Sequence, residues 1–354
     1  MPAHISHLLF AEEALAAALP SAGPALLARR GNLYRFGAQG PDFFYHNQRT
    51  RPTGLKYGVA AHREGYGRLV AALVREIQHL KEKSICSPEE AEQLEAYCLG
   101  FATHGFLDRW AHPYIVYFSG WVDARKPETE RFFRSHIFLE RILDVLLLRQ
   151  RRGLEVAEFP LLSRLTCGER LPYPLVKALL KALNAAYPQM RFKSRDRRRI
   201  ENAYADALLF YTYTDPGQPE NRRLALERDR LEDRRRLAFF HPLELPRGID
   251  FLNESHRPWL HPCFADRSST ASFPELFEAA LAEAVPALRV LAEALEGRRD
   301  PQEVERAVGN ASLNTGLERA QRCALQHCAP LPLPEILRGL YAEAGPIAGR
   351  SASN

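Results

Sequence analysis

Residues 97–121 read YCLGFATHGFLDRWAHPYIVYFSGW and, after a polar break, residues 134–148 read RSHIFLERILDVLLL. Both segments have a helical pattern, and both carry metal-type ligands on one face. His104, Asp108 and His112 stand four residues apart. An α-helix turns about 100° per residue, so a four-residue step drifts only about 40° round the axis. The three side chains therefore form a stripe rising roughly 12 Å. His136 and Glu140 repeat the spacing on the next helix.

Upstream, Ser6 is placed to cap a helix running from His7 to about Ala18, with His4 and His7 at or just before its first turn. Residues 31–58 include FGAQGPDFFYHNQRTRPTG and read as irregular chain, a site loop with Asp42 at its Gly-Pro-Asp centre. Val59–Lys83 predicts one helix with His62 in its first turn. Ser87-Pro88-Glu89-Glu90 opens the helix of the stripe, and Pro113 should stop it at His112. Residues 128–150 predict the following helix.

Downstream the period stays helical over Val176–Tyr187, Asp196–Tyr213 and Arg222–Phe240, and Phe240–Cys263 reads as irregular. Ser272 with Glu275 predicts a capping box ahead of a helix to about Leu295, which Pro286 should kink or divide. Short helices are expected near 302–308 and 334–343. The expected fold is all-α, without strand alternation. Residues 1–150 form a metal-binding helical core, 151–345 a helical continuation packed on it as one unit, and 346–354 a mobile tail.

The chain has 354 residues, 46% hydrophobic and 26% charged, ordinary values for a globular protein with a real core. Forty-eight basic residues face 43 acidic ones, a mildly basic balance without the block of positive charge of a dedicated nucleic-acid binder. The Arg-rich runs near 191–199 and 228–236 are interleaved with acids and read as solvated helix faces. Six cysteines form no CxxC pair, which predicts reduced thiols. The start lacks a basic n-region, and the apolar run Val145–Leu148 ends at Arg149, so neither a signal peptide nor a membrane span is expected. These features together predict a soluble, cytoplasmic protein.

Asp42, His62, His104, Asp108, His112, His136 and Glu140 offer more ligands than one ion needs, with His7 or His4 as further candidates. A lone histidine is more often a packed or solvated residue than a ligand. His46 and His79 are read that way, as are His241, His256 and His261, for which a pocket rim is the alternative. Cys323, His327 and Cys328 lack ligand spacing and are expected in the core. The conjunction of HxxxDxxxH and HxxxE on sequential helices is what favours metal.

These residues resemble the zinc-dependent phospholipase C family. The resemblance rests on Ser6-His7-Leu-Leu-Phe-Ala, Gly37-Ala-Gln-Gly-Pro-Asp42, His62, Gly100-Phe-Ala-Thr-His104-Gly-Phe-Leu-Asp108, His112-Pro113 and His136-xxx-Glu140, and covers about residues 1–150. It implies a multi-helix phospholipase C-like domain, here with a helical C-terminal extension, that holds two or three zinc ions. Asp42, His62, His104 and Asp108 would hold one ion and His112, His136 and Glu140 a second. His7 would help hold a third, with Asp108 bridging; His4 could substitute there. The spacing from Asp108 to His112 is shorter than in the secreted members. The resemblance further implies phosphodiester hydrolysis, with phospholipid as substrate and only peripheral contact with a bilayer. Asp42 is the candidate to orient or deprotonate the attacking water. The rivals are a single-strand nuclease of the same fold and a metal-stabilised binding protein without turnover.

Overall fold

The structure, a computed structural model, describes residues 4–190, 193–232, 234–318, 321 and 323–343. In chain order these form α1 (His4–Ala18), α2 (Gly23–Ala38), a 3-10 turn at Gly40–Phe44, α3 (Leu55–Arg63), α4 (Tyr66–Glu82), α5 (Pro88–Ser119) and α6 (Ser135–Arg152). Next come α7 (Leu161–Leu165), α8 (Tyr173–Ala186), α9 (Arg197–Thr214) and α10 (Pro219–Glu232). An antiparallel hairpin of β1 (Trp259–His261) and β2 (Phe264–Ser269) precedes α11 (Phe273–Leu295), α12 (Pro301–Val308) and α13 (Leu333–Glu343). The fold is mainly α, as expected; among the described residues one small two-stranded sheet departs from that, its β1 within the stretch read as irregular and its β2 just beyond it.

α5 is the axis of the molecule. Its start follows from local chemistry: the Ser87 hydroxyl accepts from the Glu90 N–H while the Glu90 carboxylate accepts from the Ser87 N–H. Its end does not fall at Pro113, which lies inside the helix. Proline removes one backbone hydrogen bond. The turns beyond it nevertheless bury Tyr114, Ile115 and Phe118, and Tyr114 meets Trp259 and Phe273 with its hydroxyl donating to Phe251 O (2.8 Å). Their burial outweighs one missing bond. Pro286 likewise lies within an undivided α11.

The region read as irregular chain between 31 and 58 is largely helical, and its glycines are the reason the reading fails. α2 crosses α5 at contact distance. A Cβ on Gly100 would stand 1.9 Å from Tyr34 O, and one on Gly37 would stand 2.4 Å from Tyr97 O. These glycines permit close backbone approach and do not break the helix. The expected helix over 59–83 is two helices, with Gly65 at φ +78 between them, so His62 ends α3 and does not begin a longer element. The helix expected from 128 begins at Ser135, after a 3-10 turn and Arg134 at φ +64. Ser6 sits inside α1 and is not its cap.

α11 packs on α1 and α5, and α4 lies against α5, α8 and α12, so the second half of the chain is fastened to the helices of the stripe. The Arg-rich faces are ion-paired along their length, with Arg199 to Asp196 (2.9 Å), Arg197 to Glu201 (3.0 Å) and Arg236 to Asp229 (2.9 Å). No described helix is long and apolar enough to cross a membrane. The thiol reading needs correction, because Cys263 and Cys323 form a disulfide across 60 residues. Cys328 is exposed and His327 only partly covered, so that group is not core either. The tail expected at 346–354 lies outside the described residues.

Candidate metal centre

Two ligand sets converge where α5, α3, α6 and the Gly40–Phe44 turn meet. Asp42, His62, His104 and Asp108 each offer one atom within 4.8 Å of the others, as do His112, His136 and Glu140. His62 Nε2 stands 2.9 Å from Asp42 Oδ1 and 3.6 Å from Asp108 Oδ2; His104 Nε2 stands 3.0 Å from Asp108 Oδ2 and 3.4 Å from Asp42 Oδ2. In the second set Glu140 Oε1 lies 3.0 Å from His136 Nε2 and 3.7 Å from His112 Nε2. Asp108 also lies beside the second set, its Oδ2 3.6 Å from His112 Nδ1, the ring nitrogen turned away from Glu140.

Backbone carbonyls set the tautomers. His62 Nδ1–H donates to Gly58 O (2.8 Å), His104 Nδ1–H to Ala38 O (3.2 Å) and His112 Nδ1–H to Leu313 O (2.7 Å). This assignment follows from the acceptors, since a carbonyl has no proton to give. Each ring then turns an Nε2 lone pair toward carboxylate oxygens, and lone pairs facing one another in a buried site call for a cation between them. Orphaned atoms give the same answer. Asp42 Oδ2, His104 Nε2, Asp108 Oδ2 and Glu140 Oε2 are buried without a hydrogen-bond partner. A divalent ion with nitrogen and oxygen preference fits both sets.

Electrostatics agree. Burial opposes ionisation of Asp42 and Asp108, yet the neighbouring imidazoles, His104 foremost, hold both carboxyls below the ordinary range. Burial also disfavours a charged His112, but Asp108 and Glu140 together lift it to about 9. The carboxylates thus draw a positive charge to the place where a metal would compete with the proton.

The histidines of α1 part company. His7 stacks on His104 at 4.2 Å and puts Nε2 3.2 Å from Asp108 Oδ1, on the side away from the first set's shared oxygen, with Nδ1 buried and unpartnered. His4 joins neither set. Its Nδ1 accepts from Arg141 Nη1 (3.1 Å), which leaves the ring proton on Nε2 and no free lone pair for an ion. Arg141 belongs to a buried network that sequence reasoning missed. Asp144 Oδ1 accepts from both the Ser6 N–H and the Ser6 hydroxyl (2.7 Å each), and Asp144 Oδ2 accepts from His241 Nε2 (2.9 Å) and lies 3.5 Å from Arg141. The network ties α1 to α6, and so the His7 side of the centre to His136 and Glu140. The i, i+3 pair Arg141–Asp144 on an apolar face was the available signal.

The other histidines follow the packing reading in part. His46 is buried against Phe210 (4.2 Å), and burial pushes its imidazole down to about 3. His79 is exposed on α4. His241 serves the network; His256 is exposed and His261 donates to Thr315 O (3.0 Å).

The region beyond 193 also reaches the centre. Leu313 N–H and the Ser312 hydroxyl both donate to His62 O (2.9 and 3.2 Å), while Leu313 O holds His112. Gly40 is a further constraint. It sits at φ +56, and a Cβ there would lie 2.2 Å from His104 Cγ. We expect Gly40→Ala to lower stability by about 2–4 kcal/mol and to empty the first set. Denaturant melts read beside metal analysis check this; a variant with parental stability and full metal content contradicts it.

A helical protein whose central stripe meets a second histidine–carboxylate pair in a buried cluster carries two groups that could hold metal ions. The comparisons narrow that reading. The family model described as "Zinc dependent phospholipase C" matches residues 6–193, more than half of the chain, and the chain belongs to that family. No curated protein and no solved structure matches it. The matched region contains His7 and both ligand sets, whereas the Leu313 clamp and the hairpin lie beyond it.

Proposed function

We propose that the chain is a zinc-dependent phosphodiester hydrolase acting on phospholipid, with two ions held by Asp42–His62–His104–Asp108 and His112–His136–Glu140 and a third place beside His7. The observation that carries the reading is the set of fixed tautomers: three rings pinned at Nδ1 by backbone carbonyls, with Nε2 turned to carboxylates that have no proton to share. When bound, zinc supplies Lewis-acid polarisation of a phosphoryl oxygen and makes a water acidic near neutral pH.

The protein's own groups supply the rest. Ligands with little solvent access sit in a low effective dielectric, where each charge acts more strongly than in water. Asp42 Oδ1 lies beside His62, which leaves Oδ2 as the unpartnered acceptor able to take a proton from an attacking water. Gly58, Ala38 and Leu313 carbonyls keep the rings from rotating, so the site is organised before substrate arrives. The mixed-sign surface supports lipid over nucleic acid, and membrane contact would be peripheral. The Cys263–Cys323 bridge supports an oxidising compartment over the cytoplasm that the sequence suggests.

The test is hydrolysis of bis(p-nitrophenyl) phosphate. Thorough chelation should abolish turnover and zinc should restore it, with two or three zinc ions per chain in the restored protein. Turnover that survives chelation overturns the reading.

A further inference from the structure

Of the candidate ligands only His136 reaches solvent appreciably. Its side chain is 29% exposed, whereas His112, the next, is at 9% and Asp42 at 2%. What lies outside His136 therefore decides what can approach the centre. It is a cavity of about 660 Å³. This is a size usual for small-ligand sites. Aliphatic groups of Val116, Val122, Ile137 and Leu325 share its walls with Trp121 and Phe239.

Among the described lining residues, Arg134 supplies the one basic side chain besides His136. Its guanidinium lies over the rings of Phe133 (5.0 Å) and Phe239 (4.3 Å), and its Nη1 is buried without a hydrogen-bond partner. A flexible chain of methylenes ending in an ester matches these walls. The aliphatic groups cover the methylenes, and Nη1 is a donor for an ester or phosphate oxygen. Phe132 and Phe133 add flat surface to the same lining, so a nucleic-acid substrate is kept as an arm of the test.

Five of the lining residues, Phe239 and Leu325 with Asn314, Thr315 and Cys323, lie beyond the matched residues 6–193. Leu325 is 40% exposed at the rim, two residues from the disulfide that joins Cys323 to Cys263 beside the hairpin. The extension thus builds one side of the approach to a centre whose ligands come from the matched region.

Resting on the phosphodiesterase reading, we propose that this cavity is the subsite for the acyl part of the substrate and that Phe239 and Leu325 set how much acyl chain it accepts. Each buried methylene should strengthen binding about fourfold, so selectivity for an acylated substrate is the quantity to measure. The zinc-loaded parent, Phe239→Ala and Leu325→Trp are compared on dihexanoyl phosphatidylcholine below its micelle concentration and on bis(p-nitrophenyl) phosphate, which has no acyl chain. The ratio of kcat/KM between the two substrates should fall at least tenfold in both variants, carried by KM. An unchanged ratio overturns the proposal, as does a single-stranded oligonucleotide being the preferred substrate and losing its preference in the same variants.

Binding separates this failure from that of the activity. Should the zinc-loaded parent turn over neither phosphodiester, the hydrolase reading fails. Calorimetry with the same short-chain lipid then decides the subsite alone: binding weakened at least tenfold by Leu325→Trp supports it, and equal or absent binding overturns it. Thermal melts of the variants matching the parent exclude misfolding as the cause, and Leu325, at the exposed rim, is the substitution least able to disturb the fold.

Discussion

Replacing Asp108 with Asn should remove more than one metal ion per chain. Asp108 stands among four of the candidate histidines: Oδ2 lies 3.0 Å from His104 and 3.6 Å from both His62 and His112, and Oδ1 lies 3.2 Å from His7. An amide of the same shape keeps the packing. It withdraws the negative charge, however, and can present an NH₂ group to His62 and His104, whose Nε2 atoms are fixed as lone-pair donors. The ion of the first set and the one proposed beside His7 would both lose affinity, and hydrolysis should fall by about 10³-fold. Elemental analysis of parent and D108N purified side by side reads the stoichiometry directly. Loss of one ion with the others retained would mean that Asp108 serves a single site and is not shared with the place beside His7. D108N also separates the enzymatic reading from a metal-stabilised scaffold, because a scaffold would lose melting temperature and have no turnover to lose.

Much of this centre is legible in the sequence because helices translate spacing into geometry. HxxxDxxxH and HxxxE fix a common face whatever surrounds them, and the structure brings those side chains together as the period requires. What the sequence did not disclose depends on partners distant along the chain. Gly37 and Gly100 look like breakers until α2 and α5 are seen in contact. Pro113 looks like a stop until the burial of Tyr114 and Phe118 is weighed against one lost hydrogen bond. Cys263 and Cys323 have no spacing signature, and the clamp of Leu313 on His62 and His112 runs through backbone atoms that no residue type announces. His4 is the instructive case among the ligands. One turn from His7, it has the right chemistry, and only the neighbouring guanidinium shows that its lone pair is already engaged.

The same guanidinium leads to a second large effect, on stability. Arg141 is fully buried, and the carboxylate that compensates it is Asp144, itself without solvent exposure. Asp144→Ala strands that cation and removes the acceptor of three hydrogen bonds, from Ser6 N–H, the Ser6 hydroxyl and His241. Breaking a buried pair from one side costs about 3–5 kcal/mol, which is a large part of the stability of most proteins. Denaturant titration of the metal-free proteins should show that loss as a lower midpoint. Adding Arg141→Met to Asp144→Ala should recover part of it, since the stranded charge goes too. The pH dependence supplies a signature that simple loss of packing would lack. Burial alone would raise the Asp144 carboxyl, but His241 and Arg141 hold it below the ordinary range. A carboxyl lowered on folding stabilises fully above its unfolded value, about 3.9, and that contribution disappears as pH falls from there through the folded value. The stability gap between parent and Asp144→Ala should therefore be at its full size at neutral pH and shrink below about pH 4. A gap under about 1 kcal/mol, or one that does not change with acid, would show that α1 and α6 are held together by apolar packing and not by this ion pair.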